Sequence, residues 1–264
     1  MPDSETRETE QQSRGHAAAT GGATVVSPSV TIHLPQVKMA RITGGLYLAF
    51  ILTSVLADRV GHIGLGDAQQ VYRALTAHPG SFRAGLVVAL LSAFLFLAAA
   101  WGLYVLLRPV NRHLALLFLL LNAVGVALQC ASMFALTSAL LQGDASSRLQ
   151  AYSAAQLEGL AYLSINLYKS SFVTAQLFFG TWLFPLGYLV YKSGFLPRFL
   201  GALLILDGFA VLVWFLQALL LPGHGAISYP GLALSFIAEL GLALWLLVKG
   251  VKVVDSGAGP ITVP

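Results

Sequence analysis

The chain has 264 residues, 57% of them apolar and only 10% charged, against about 25% in soluble domains. Its single cysteine, Cys130, excludes a disulfide framework and a zinc site built from several thiolates. The net charge of +4 is not a nucleic-acid footprint, because the basic residues flank hydrophobic blocks and no basic stripe interleaves with aromatics.

Residues 1–37 are rich in Ser, Thr, Gln, Glu and Gly, with Asp3, Glu5, Glu8 and Glu10 near the start. They bear too little apolar surface to offset ordering entropy and are expected to form a disordered cytoplasmic tail. They have no apolar region of the kind a signal peptide needs. A spanning helix requires about 20 mostly apolar residues, and residues 38–252 are expected to hold six. They run from Ile42 to Ala57 (with a helix start near Val37), Ala84 to Leu107, Leu114 to Leu140, Phe172 to Tyr191, Phe199 to Leu221 and Gly231 to Val248. The fourth has an amphipathic lead-in from Ala154. Continuous apolar runs, rather than alternating segments of about ten residues, argue for helices over a β-barrel. The fold class is therefore all-α, a polytopic membrane helix bundle, and residues 253–264 are expected to be a short flexible tail.

Between the spans, Asp67 to Leu75 reads as a short interfacial helix capped by Asp67. Ser153-Ala-Ala-Gln156 fits a capping box, and Tyr152, Tyr162 and Tyr168 suit an interfacial aromatic belt. Lys38, Arg41, Arg108, Arg112, Lys192, Arg198, Lys249 and Lys252 all fall at one side of the spans. The other side has Arg59, Arg73, Arg83, Arg148 and Lys169, spread over longer loops among Asp58, Asp67, Asp144 and Glu158. The positive-inside rule places both termini in the cytoplasm. A faint repeat relates Gly102–Asn122 to Gly187–Asp207: both separations are 20 residues and the copies are offset by 85. Leucine-rich hairpins match one another easily, so chance similarity stands beside a true duplication.

Three segments carry a family resemblance: Ala40-Arg-Ile-Thr-Gly-Gly-Leu-Tyr-Leu48, Lys192-Ser-Gly-Phe-Leu-Pro-Arg198 with the following Leu200-Gly-Ala-Leu-Leu204, and the ending from Glu239-Leu-Gly-Leu to Lys252. Over residues 38–252 the chain resembles the prokaryotic membrane family catalogued as domain of unknown function 4386. The resemblance implies an inner-membrane protein of six or seven helices and no settled activity. It also implies a third-span glutamate, where this chain has Asn122, and fourth-span histidines, where it has Tyr168 and Trp182. It transfers no cofactor, and none is expected.

The polar residues inside the spans are the candidates for chemistry. At a rise of about 1.5 Å per residue, Asp207 lies about 12 Å inside the fifth span, Glu239 about 13 Å inside the sixth, Asn122 about 12 Å inside the third and Thr181 about 15 Å inside the fourth. They form one layer on the cytoplasmic side of the midplane. An ionised acid there costs about 3 kcal/mol on insertion scales. Asp207 and Glu239 are therefore expected to face the interior with at least one of them neutral. Gln129, Cys130 and Gln176 extend a polar path or pack as helix contacts. Asn166 and Lys169 line an outer vestibule or are solvated at the interface. Pro185 is expected to kink the fourth helix near Thr181. The six histidines show no metal-ligand spacing, so no metal site is expected.

Three functions remain open on these residues. One is binding or transport of a small ligand, ion or proton at the carboxylate layer, with a homo-oligomer helping so small a bundle. The second is a membrane enzyme using a protonated carboxyl as general acid on a lipid or isoprenoid substrate. The third is a structural or regulatory partner protein with the acids as interhelical glue.

Overall fold

The computed structural model describes residues 34–63, 67–143 and 152–251. Of the tail expected over 1–37, residues 34–37 are the first turn of a helix. Pro35 is tolerated there because a first-turn N–H has no helical acceptor. The rest of that tail, and the one expected over 253–264, lie outside the described residues.

Among the described residues all regular structure is helical: α1 (Leu34–Gly61), α2 (Ala68–Ala77), α3 (Pro79–Leu107), α4 (Arg112–Gly143), α5 (Ala154–Lys192), α6 (Arg198–Leu220), a 3-10 turn (Gly225–Ser228) and α7 (Tyr229–Val248). Six of the seven α-helices, all but α2, are long and apolar enough to cross a membrane. These are the expected spans, with the fourth fused to its lead-in as one helix of 39 residues. Ser153 opens it as anticipated: the Gln156 N–H donates to Ser153 Oγ at 3.3 Å and the Ser153 N–H to Gln156 Oε1 at 2.8 Å. The helix continues through Pro185. Val87, Phe94, Phe134, Leu163, Phe209 and Ile237 point outward from the spans. Bare apolar surface on that scale suits acyl chains and not water. The chain is a multi-pass membrane protein.

Each span packs on its neighbours in sequence, and α1 also packs on α7, so the six close into a ring. The most extensive pairings are α4 with α5 and α1 with α3. The α3–α4 hairpin is much looser than α5–α6, so the two faint repeats are not equivalent units. One end of the ring carries the basic α3–α4 and α5–α6 turns. The other, here the far end, carries α2 and the 3-10 turn.

Two contacts fix the ring around the residues of interest. A Cβ on Gly44 of α1 would lie 2.7 Å from the Ala243 carbonyl oxygen of α7, and one on Gly187 of α5 would lie 2.8 Å from the Gly201 carbonyl oxygen of α6. Only glycine lets backbones approach that closely. The α5–α6 turn is equally specified. Gly194 takes φ +72°, Ser193 Oγ donates to the Val190 carbonyl at 2.8 Å, and Phe195 and Leu196 are buried. The Arg198 guanidinium lies 5.9 Å from the Tyr191 ring centroid.

The ring's centre is aromatic. Phe50 of α1 stacks on Phe96 of α3 at 4.1 Å, and Trp182 of α5 meets Phe96 edge-on at 5.3 Å. Tyr47 lies 6.0 Å from Phe96, and Phe118 of α4 lies 6.2 Å from Trp182. Tyr168 is not in an interfacial belt: it is buried and donates its hydroxyl to the Ile63 carbonyl at 3.1 Å, tying α5 to the end of α1.

Candidate functional site

Asp207 sits on α6 beside Gly208, whose Cβ would lie 3.0 Å from the Gly180 carbonyl oxygen of α5. This close approach leaves Asp207 fully buried. The Ser235 hydroxyl of α7 donates to Asp207 Oδ1. Asp207 Oδ2 is buried and has no hydrogen-bond partner among the described residues. Glu239 stands one turn along α7 from Ser235, half-buried and within electrostatic reach of Asp207. The two acids thus share a site, Asp207 held by Ser235 and Glu239 one turn of α7 further on.

Tyr47 completes the group. Gly44 and Tyr47 lie on one face of α1, three residues apart, and Ala243 and Glu239 lie on one face of α7, four apart. The backbone contact at Gly44 therefore delivers Tyr47 to Glu239. The Tyr47 hydroxyl faces that carboxyl within electrostatic reach. It is fully buried and forms no hydrogen bond of regular geometry. No Lys or Arg approaches the two acids among the described residues.

The other polar residues singled out in the sequence are placed differently. Asn122 is fully buried, and neither its Oδ1 nor its Nδ2 has a partner among the described residues. Phe118 and Gly125, one turn to either side of it, pack on Trp182 and Phe179, so Asn122 lies beside the aromatic cluster. No hydrogen bond joins it to the acids. Thr181 donates to the Leu177 carbonyl of its own helix at 2.7 Å, and Gln176 donates to the Phe172 carbonyl at 3.3 Å. Gln129 lines a cavity in the far half of the bundle. Asn166 is exposed, and Lys169 lines a pocket with Trp214, Gln217 and Ser228.

Tyr47 and Ser235 were not anticipated from the sequence. Ser235 precedes Glu239 by four residues, the spacing of one helical face, and that signal was available. Tyr47 had no comparable sign, because its role depends on which helix α1 touches. Chemically, two carboxyls and two hydroxyls with no opposing cation can hold and exchange a proton. Among the described residues no group of three or more His, Cys, Asp and Glu is arranged to hold a metal ion.

Residues 42–250 match the model of a family described as a domain of unknown function, DUF4386. An uncharacterized protein of Archaeoglobus fulgidus is 27% identical over 180 residues, which span 66% of this chain and 89% of that protein. No solved structure matches the chain.

Proposed function

This chain belongs to the DUF4386 family, and from that premise we propose that it is a prokaryotic inner-membrane protein that takes up and releases a proton at the paired carboxyls Asp207 and Glu239. One observation carries the reading. Asp207 is fully buried in the bundle, with one oxygen held by Ser235, the other without a partner, and a second acid within electrostatic reach. Two full negative charges at such a place, unopposed by Lys or Arg, would be costly. A single proton shared by the pair removes one charge and supplies the donor that Oδ2 lacks.

On this reading both termini and the basic end of the bundle lie in the cytoplasm, supported by the Lys and Arg residues gathered at the α3–α4 and α5–α6 turns. With Cys130 replaced by Ala, a Gly223→Cys side chain should then be labelled by an impermeant thiol reagent from outside the cell.

Infrared difference spectroscopy of the full chain in lipid tests the proton site without a known substrate. A carbonyl band of a protonated carboxyl should be present at neutral pH and decline as the pH is raised. Asp207→Asn and Glu239→Gln should each change that titration while the protein stays folded by circular dichroism and gel filtration. If no such band responds to pH, or if both amides leave it unaltered, the acids are interhelical glue and the proton site is refuted.

A further inference from the structure

In the far half of the ring, away from the carboxyl pair, a cavity of about 430 Å³ lies between α1, α3, α4 and α5. That is within the ~300–1,000 Å³ range of small-molecule sites. Its walls include Val55, Ala57, Ala89, Met133 and Phe172. Two polar groups on its surface are already engaged: Ser92 Oγ donates to the Phe50 carbonyl at 3.2 Å and the Tyr168 hydroxyl to Ile63. The stacked Phe50 and Phe96 rings lie one turn below and separate the cavity from the acids.

The cavity has two kinds of edge. Ser54 and Val55 are exposed on the side of a span, where acyl chains lie. Asp58 and Arg59 also line it, and both are exposed at the far end of α1. Asp58 continues into an open cleft with His62, Arg73 and His78. Asp58 already has a partner, whereas among the described residues no ion pair engages Arg59 or Arg73. The cavity edge therefore offers the Arg59 guanidinium and the adjoining cleft that of Arg73, with the Asp58 carboxylate shared by both linings; guanidiniums are suited to carboxylate or phosphate.

We propose that this cavity binds a single-chain amphiphile with an anionic head group, its chain among Val55, Ala89, Met133 and Phe172 and its head at Arg59 and Arg73. A purely apolar guest would leave the guanidiniums unused. A small soluble anion would leave the apolar walls bare. An amphiphile drawn from the bilayer past Val55 satisfies both, and its carboxylate or phosphate head is read by the same fork geometry. The inference is independent of the carboxyl pair.

The test uses the full chain in nanodiscs of zwitterionic phosphatidylcholine, with the fluorescent fatty acid cis-parinaric acid as probe. Saturable binding is expected. Dodecanoate or dodecyl phosphate should displace the probe at least about ten-fold more readily than dodecanol, as charge-assisted hydrogen bonds imply. Whichever of the two anions competes better identifies the head group, fatty acid or phosphate ester. The Arg59→Gln, Arg73→Gln double variant should lose the preference for anions. Ser54→Phe, which fills the cavity from an exposed edge, should weaken binding of all three competitors about ten-fold while the thermal unfolding midpoint is kept. Asp207→Asn should bind as the unaltered protein does. Absence of saturable binding, equal displacement by dodecanol, or an anion preference that survives the double substitution would overturn the proposal.

Discussion

Asn122 and Asp207 occupy matching places in the chain, each 20 residues beyond a glycine near the end of the preceding span. Both are fully buried, and each has side-chain atoms without a hydrogen-bond partner among the described residues. Yet only Asp207 has company. Its helix packs on α7, which brings Ser235 and Glu239 to it. Asn122 rides on α4, packed mainly on α5, where Phe179 and Trp182 lie. Equal depth in a bundle therefore does not make equal sites. What a buried polar group can do is decided by which neighbour the ring sets against it.

The strongest way to break the contrast is to disturb the helix contacts around each site. Gly44→Leu places side-chain atoms where the Ala243 carbonyl of α7 stands, and backbone cannot step aside. A loss of about 3 kcal/mol is expected, the upper range for overpacking, together with separation of Tyr47 from Glu239. On the Asn122 side, Gly125→Ala first meets the Phe179 ring, at 2.6 Å, and a ring can turn. It should cost about 1 kcal/mol. Unfolding in mixed micelles measures both. Equal losses would mean that the α1–α7 contact does not define the acid site.

Next in size are two substitutions by the same apolar residue. Leu branches as Asn and Asp do, and it removes the polar atoms. Asn122→Leu deletes an amide that has no partner, so the protein should gain about 1 kcal/mol. Asp207→Leu removes the acceptor of the Ser235 hydroxyl and should lose about 1–2 kcal/mol. A loss at both positions would show that Asn122 has a partner after all, such as an ordered water.

The spans could be read from sequence because they follow from the length of apolar blocks. The fold class was legible for that reason, whereas the family resemblance rested on three short segments and the capping box on the spacing of Ser153 and Gln156. The direction in which each polar residue points was not legible. Thr181 lies at a depth close to Asp207's, but its hydroxyl turns back to the Leu177 carbonyl, an acceptor always within reach on a helix. Tyr47 became part of the site through a glycine contact with a helix almost two hundred residues away in the chain, and no local pattern encodes such a contact. Ser235 is the intermediate case. Its face was known from Glu239, but its partner was not.

Ser235→Ala gives a smaller effect and sharpens the contrast from the other direction. It leaves Asp207 as isolated from hydrogen-bond donors as Asn122 is. A loss of about 0.6–2 kcal/mol is expected, the span measured for hydrogen bonds across membrane helices. The infrared carbonyl band should also shift in frequency, since the donor to Oδ1 has gone. An unchanged frequency would mean that the band belongs to Glu239 alone.

The smallest effect on stability is expected at Tyr47, and for that reason it separates structure from chemistry best. Its ring packs against Phe50 and Phe96, and Phe in its place keeps those contacts. Its hydroxyl makes no regular hydrogen bond, so Tyr47→Phe should leave the unfolding free energy within about 0.5 kcal/mol of the original or raise it slightly. If the proton on the acid pair passes by way of that hydroxyl, the rate at which the carbonyl band follows a pH jump should fall although the folded protein is no less stable. If the rate is unchanged as well, Tyr47 only fills space between the aromatic centre and Glu239, and the exchanging site contracts to Asp207, Ser235 and Glu239.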